Sequence, residues 1–142
     1  MEIIEGGCLC KAIRYRISGA PLSSIICHCA TCRAASAAPT VAWLTVERSQ
    51  FQVLSGNPQL FQSSQDVIRR FCRNCGCQLL YENAASPNTI DVTTVSLDSP
   101  NAYPPNLEVW LEQKIAWQEP NRSLGHHYRD LSEARAVARG VL

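Results

Sequence analysis

"FCRNCGCQL", residues 71–79, carries half of a metal site, and the position of the other half decides the fold. Cys72 and Cys75 are spaced as a two-ligand knuckle, and Gly76 suits the turn that follows, where backbone amides point at sulfur and a missing Cβ relieves crowding. One such pair says little. A second pair, Cys8 and Cys10, stands in "GGCLCKA", residues 6–12, with a run of strand-like sequence between them. Tetrahedral zinc takes four thiolates and is commonly built from two separated knuckles. Joined in this way, Cys8, Cys10, Cys72 and Cys75 close a shell. A closed shell is structural: it pins the N-terminal strand to a distant hairpin and ties metal binding to folding.

The remaining cluster, "IICHCATCR", residues 25–33, has a different character. In an extended backbone Cys27 and Cys29 project to one side and His28 to the other. Cys32, three residues on, begins a short helical turn. Cys27, Cys29 and Cys32 can therefore converge on one ion. Three protein ligands with a fourth place left over is the arrangement of a catalytic zinc. His28 reads as a hydrogen-bonded or solvent-facing side chain; as a fourth ligand it would close the site. Cys77 reads as a small buried apolar group, although its spacing from Cys75 also allows it to face the metal.

The eight cysteines lie in three tight clusters, with none after Cys77. Four disulfides would allow about 105 pairings. Cysteines one or two residues apart on a turn cannot bridge each other without strain, but they can share an ion. The opening "MEIIEGGCLC" lacks the charged-then-apolar layout of an export signal, so the expected setting is the reducing cytoplasm.

The 142 residues are expected to form one domain, residues 1–142, with a net charge of +1, 46% hydrophobic and 18% charged residues. No Lys/Arg run points to nucleic acid, and no apolar run is long enough to span a membrane. The hydrophobic share leaves room for a homo-oligomer interface. Strand signals recur along the chain. In "KAIRYRIS", Ile13, Tyr15 and Ile17 alternate with polar or small residues. "LSSIIC", "TVAWLTV", "FQVL", "PQLFQS", "DVIRRFC", "CQLLYE" and "NTIDVTTVSL" follow, broken by Gly/Pro/Asn turns. "LEVWLEQKIAWQ" reads as one strand or two. The helix signal is at the end, with Ser132 as cap, Leu131 packing before it and Gly140 as stop. The expected class is mainly β with a short C-terminal helix.

"GGCLCKAIRY", "CHCATCR" and "FCRNCGCQL", in this order, resemble the glutathione-dependent formaldehyde-activating enzyme family, relatives of centromere protein V. "PPNLEVWLEQKIAW", residues 104–117, is similar to that family's last conserved segment. The resemblance implies several coiled β-sheets around zinc, a fold also met in exchange factors. It implies two Zn²⁺ per chain: a structural ion on Cys8, Cys10, Cys72 and Cys75, and a catalytic one on Cys27, Cys29 and Cys32. It implies a carbon–sulfur lyase that joins glutathione to formaldehyde. The chain departs from the pattern at Cys77, where a small hydroxyl residue is usual, and at Glu108, where a histidine is frequent.

A glutathione-like thiol carries carboxylates and needs a cation near the metal; Arg33, next to Cys32, is the candidate. Arg69, Arg70 and Arg73 read as solvated, and Trp43, Trp110 and Trp117 as core or interface. His126 and His127 read as ordinary loop residues. Competing readings are a zinc-stabilised binding module and a redox sensor built on Cys27, Cys29 and Cys32.

Overall fold

The computed structural model describes residues 1–126, which form eleven strands and one α-helix. The mainly β class is therefore met. The expected C-terminal helix, and His127, lie outside the described residues. By contacts the chain divides into two compact units, each assembled from separated segments: Met1–Ser23 with Trp43–Pro104, and Ser24–Ala42 with the chain from Pro105 onward.

The first unit holds a three-stranded antiparallel sheet of β1 (Ile3–Gly7), β2 (Arg14–Ser18) and β5 (Phe51–Ser55), in the order β1-β2-β5. It also holds a run of antiparallel strands. These are β4 (Val41–Glu47), β9 (Thr89–Thr93), β8 (Gln78–Asn83), β7 (Val67–Phe71) and β6 (Gln59–Ser64), in that spatial order. The alternation in "KAIRYRIS" is what buries Ile13, Tyr15 and Ile17. In register, Leu44 opposes Val92 and Val92 opposes Leu80, so one apolar row crosses three strands. Each large aliphatic fully buried there contributes roughly 1.5–3 kcal/mol. Cys8 and Cys72 belong to this same core cluster.

Tyr15 is buried with its hydroxyl satisfied. Ser96 Oγ donates to the Thr93 carbonyl at 2.8 Å, which leaves the Tyr15 O–H to donate to Ser96 Oγ at 2.7 Å. This fold-back ends β9 at Thr93, and Thr94–Ser96 is a 3₁₀ turn where the β-branched run predicts continued strand. Gly6 is required by close approach: a Cβ there would lie 2.4 Å from the Tyr15 hydroxyl and 2.6 Å from the Ser96 carbonyl.

The opposite row of the same strands carries Arg69, which is 4% exposed rather than solvated and lies over the Tyr81 ring at 5.1 Å. Arg70 is also engaged. Glu82 Oε2 accepts from Arg70 Nε at 2.7 Å and Oε1 from Arg48 Nη1 at 2.6 Å. Burial works against the Glu82 charge, but the two arginines outweigh it and hold the carboxyl below its ordinary value. A depressed carboxylate stabilises the fold above its unfolded pKa, and that contribution is lost as pH falls through the folded value. Glu82→Gln should therefore cost about 1–3 kcal/mol in urea unfolding at neutral pH. The gap to wild type should narrow as the pH is lowered to about 4.

The second unit contains β3 (Ser23–Cys27), β10 (Leu107–Val109) and β11 (Gly125–His126), in the order β11-β10-β3, with both pairings parallel. Its helix, α1 (Ala30–Ser36), has only seven residues. So short a helix is unstable alone and is held by its neighbours. The Ala30 amide donates to Gln113 Oε1 at 2.9 Å, and Arg33 Nη2 to the Gln113 carbonyl at 2.8 Å. Ala37 in the left-handed region, φ 51°, ends it. The "LEVWLEQ" stretch is strand for three residues only. Trp110 turns left-handed, φ 60°, and Leu111–Gln113 becomes a 3₁₀ turn that delivers Gln113 to α1. Among the described residues no helix is long and apolar enough to cross a membrane.

Candidate metal centres

Two knuckles of similar construction meet in the first unit. In one, the Cys8 amide donates to the Ile13 carbonyl and the Lys11 amide to the Cys8 carbonyl, both at 3.1 Å. In the other, the Cys72 amide donates to the Cys77 carbonyl at 2.9 Å and the Gly76 amide to the Cys72 carbonyl at 2.7 Å. Each turn needs one left-handed residue, Lys11 at φ 66° and Gly76 at φ 76°. No heavy atom lies within 4 Å of a Cβ built on Gly76, so its backbone angle alone explains the glycine.

The four sulfur atoms of Cys8, Cys10, Cys72 and Cys75 lie within 4.8 Å of one another. Cys8 Sγ is 3.6 Å from Cys10 Sγ, which is 3.7 Å from Cys72 Sγ. A tetrahedron with zinc–sulfur bonds of about 2.3 Å has edges of about 3.8 Å, so the donor set fits that ion. The amides of Cys77 and Cys10 aimed at Cys75 bring its thiol down to about 6. The Ala12 amide favours the Cys10 thiolate, but proton sharing with Cys8 and crowding by Cys72 and Cys75 push that thiol up to about 12. Such crowded thiols keep protons that a divalent ion replaces on binding. Cys77 stays out of the set. It is half-buried against the core, with its Sγ 3.7 Å from the Gln78 carbonyl, and burial pushes its thiol up.

The second unit gathers Cys27, Cys29 and Cys32, again with all sulfurs within 4.8 Å. Among the described residues no fourth His, Cys, Asp or Glu donor joins them. Cys27 ends β3; Cys29 caps α1, its Sγ accepting the Cys32 amide at 3.3 Å. Hydrogen bonds from the Cys27 and Cys32 thiols, overcoming burial and helped by Thr31 and the Cys32 amide, hold Cys29 down at about 2. Cys27 moves the other way, because it shares its proton with Cys29 and Cys32 and is buried. Cys27 and Cys32 are buried, while Cys29 is partly exposed.

His28 is fully buried and turned to Glu108, its Nε2 lying 2.9 Å from Oε1. Arg33 directs Nε to the His28 carbonyl at 3.2 Å and Nη2 to Gln113, so much of its guanidinium braces the loop. Arg73 is exposed. Trp43 is buried as expected, and Trp117 is 69% exposed. Sequence reading missed Gln113, and it noted Glu108 only as a departure from the family pattern, not as the partner of His28. A carboxylate between Leu107 and Val109 in an apolar run is a further signal that marks Glu108.

The family model described as glutathione-dependent formaldehyde-activating enzyme matches residues 3–113. An uncharacterized lyase of Schizosaccharomyces pombe is 34% identical over 93 residues, covering 64% of this chain and 67% of that protein. A Halomonas elongata protein named for glutathione-dependent formaldehyde activation is 26% identical over 126 residues, covering 82% of this chain and 80% of its own. A crystal structure of a Rhodobacter sphaeroides protein aligns with TM-score 0.57 at 24% identity, over 66% of this chain and 87% of that one, which speaks for the fold alone. With the family model matched over residues 3–113, most of its length, the chain belongs to the glutathione-dependent formaldehyde-activating enzyme family.

Proposed function

We propose that this chain is a zinc-dependent carbon–sulfur lyase that joins a glutathione-like thiol to formaldehyde or another small aldehyde. The observation that carries the reading is the contrast between four convergent sulfurs in one unit and three in the other. On this reading the set Cys8, Cys10, Cys72 and Cys75 holds a structural ion, and the set Cys27, Cys29 and Cys32 an ion with room for substrate. A zinc ion there would supply a Lewis-acid position that favours the thiolate form of a bound thiol. In the addition a carbon–sulfur bond forms, the carbonyl π bond breaks, and the thiol proton ends on the aldehyde oxygen.

The protein's own part is to orient and to hold. Cys29 and Cys32 are set by the first turn of α1, which Gln113 and Arg33 lock to the 3₁₀ turn. Bringing thiol and aldehyde together in one orientation removes much of the entropic barrier. Arg33 supplies positive charge beside Cys32; with Nε and Nη2 spent on carbonyls, it would favour a thiol carrying a carboxylate chiefly through long-range attraction.

Thiols add to formaldehyde unaided, so the test must measure acceleration. In ¹³C-formaldehyde and glutathione at equilibrium, magnetisation exchange between free aldehyde and adduct should speed up on adding micromolar zinc-loaded protein. A rate equal to the protein-free control would overturn the proposal.

A further inference from the structure

His28 stands between two of the three clustered cysteines and points away from them into a closed environment. It is 0% exposed, and its partner Glu108 is 3% exposed. The His28 Nε2–H donates to Glu108 Oε1 at 2.9 Å. Glu108 Oε2 accepts the Asn121 amide at 2.7 Å and lies 3.2 Å from His126 Nε2, which is also 2.7 Å from the Asn121 carbonyl. Both neighbours of that nitrogen are acceptors, so His126 donates to them. A single buried carboxylate thus joins the cysteine loop to the turn at residues 121–126. Among the described residues His28 Nδ1, which is buried, has no hydrogen-bond partner, so Glu108 is the polar anchor of the ring there.

Main-chain bonds bring the same two strands together. Glu108 pairs in register with Ile26 and Val109 with Cys27, and the His28 amide donates to the Val109 carbonyl at 3.1 Å. Those bonds fix the backbone on the Cys27 side. They leave the rotation of the peptide toward Cys29 to the side chain of residue 28 and, through the Arg33 Nε–H on its carbonyl, to α1. Fixing the imidazole fixes the relative placement of the two sulfurs that flank it. Groups that orient ligands without touching the ion commonly change its retention by about 10–100-fold.

We propose that Glu108 is a positioning residue for the three-cysteine centre, acting through His28 on the spacing of Cys27 and Cys29. The proposal rests on the reading of that cluster as a metal centre. Glu108→Ala leaves both ring nitrogens of a buried imidazole without partners. Glu108→Gln keeps the shape but turns one acceptor oxygen into a donor, so the N–H groups of His28, Asn121 and His126 compete for a single oxygen and the hold on His28 is weakened.

The test is zinc transfer from the reduced, fully loaded protein to a chromophoric chelator, followed in time. Wild type should release two kinetically distinct equivalents. In Glu108→Ala one equivalent should leave at least about tenfold faster, with the other unchanged. Glu108→Gln should fall between, and it serves alone should the alanine variant fail to fold. Faster release of both equivalents together would mark a loss of general stability and overturn the proposal, as would wild-type release of both in the glutamine variant. A wild-type chain that binds a single equivalent overturns the metal reading and this proposal with it. Two wild-type equivalents with no effect at residue 108 overturn this proposal alone.

Discussion

Cys72→Ser should yield a chain that does not accumulate as a folded protein. Cys72 is 1% exposed, lies in the apolar core and is one of four sulfurs that lie within 4.8 Å of one another. Structural zinc in small domains contributes about 10–16 kcal/mol of apparent binding energy, comparable to or larger than the ~5–15 kcal/mol net stability of a typical domain. Serine removes a soft ligand and places a hydroxyl in an apolar cluster. The far-UV circular dichroism of any soluble material should lose its β signal, and limited proteolysis should cut within residues 1–104. Cys77→Ser is the control: its sulfur is half-buried and outside the set, so the variant should keep its zinc and lose no more than about 1.5 kcal/mol. A cooperative, zinc-poor Cys72→Ser protein of wild-type melting temperature would remove the structural role assigned to the first centre.

The second large effect is expected at Cys29, where serine separates two jobs done by one side chain. Cys29 caps α1 through a weak N–H···S contact of 3.3 Å. Serine is among the best N-caps, so α1 should persist while the sulfur is lost. Cys29→Ser should fold, keep one equivalent of zinc and melt within about 1 kcal/mol of the singly loaded wild type. Its acceleration of thiol–aldehyde exchange should fall by more than the ~100-fold upper range for groups outside the coordination shell. Zinc analysis and the exchange rate, measured on the same sample, decide the matter. Full activity with a single zinc would place the chemistry elsewhere.

The sequence made most strands of the first unit legible because they obey a period of two. Ile13, Tyr15 and Ile17 alternate and are buried in that pattern, and "SGNP" separates β5 from β6 where a turn is expected. The cysteine groups were legible because spacing at x₁ and x₂ fixes which sulfurs share a turn. What escaped depends on pairing between distant residues. Nothing local marks Arg69 as buried; its environment is the Tyr81 ring on a neighbouring strand. Nothing in "LEVWLEQKIAWQ", which reads as one strand or two, marks a strand cut short by one left-handed tryptophan. His28 and Glu108 are 80 residues apart and meet only once β10 has paired in parallel with β3. A parallel pair without an intervening hairpin has no sequence signature of its own.

Exposure is uneven within the first centre. Cys8 and Cys72 are sealed, Cys75 is half-open and Cys10 stands at the surface. Peroxide, alkylating reagents and competing metals therefore meet the knuckle at its Cys10 edge. Damage during purification should start there, with the sealed pair becoming accessible only after that edge has let go. A reductant in every buffer should protect the edge, and mass spectrometry of an aged sample should find the first oxidised or alkylated sulfur of this quartet at residue 10.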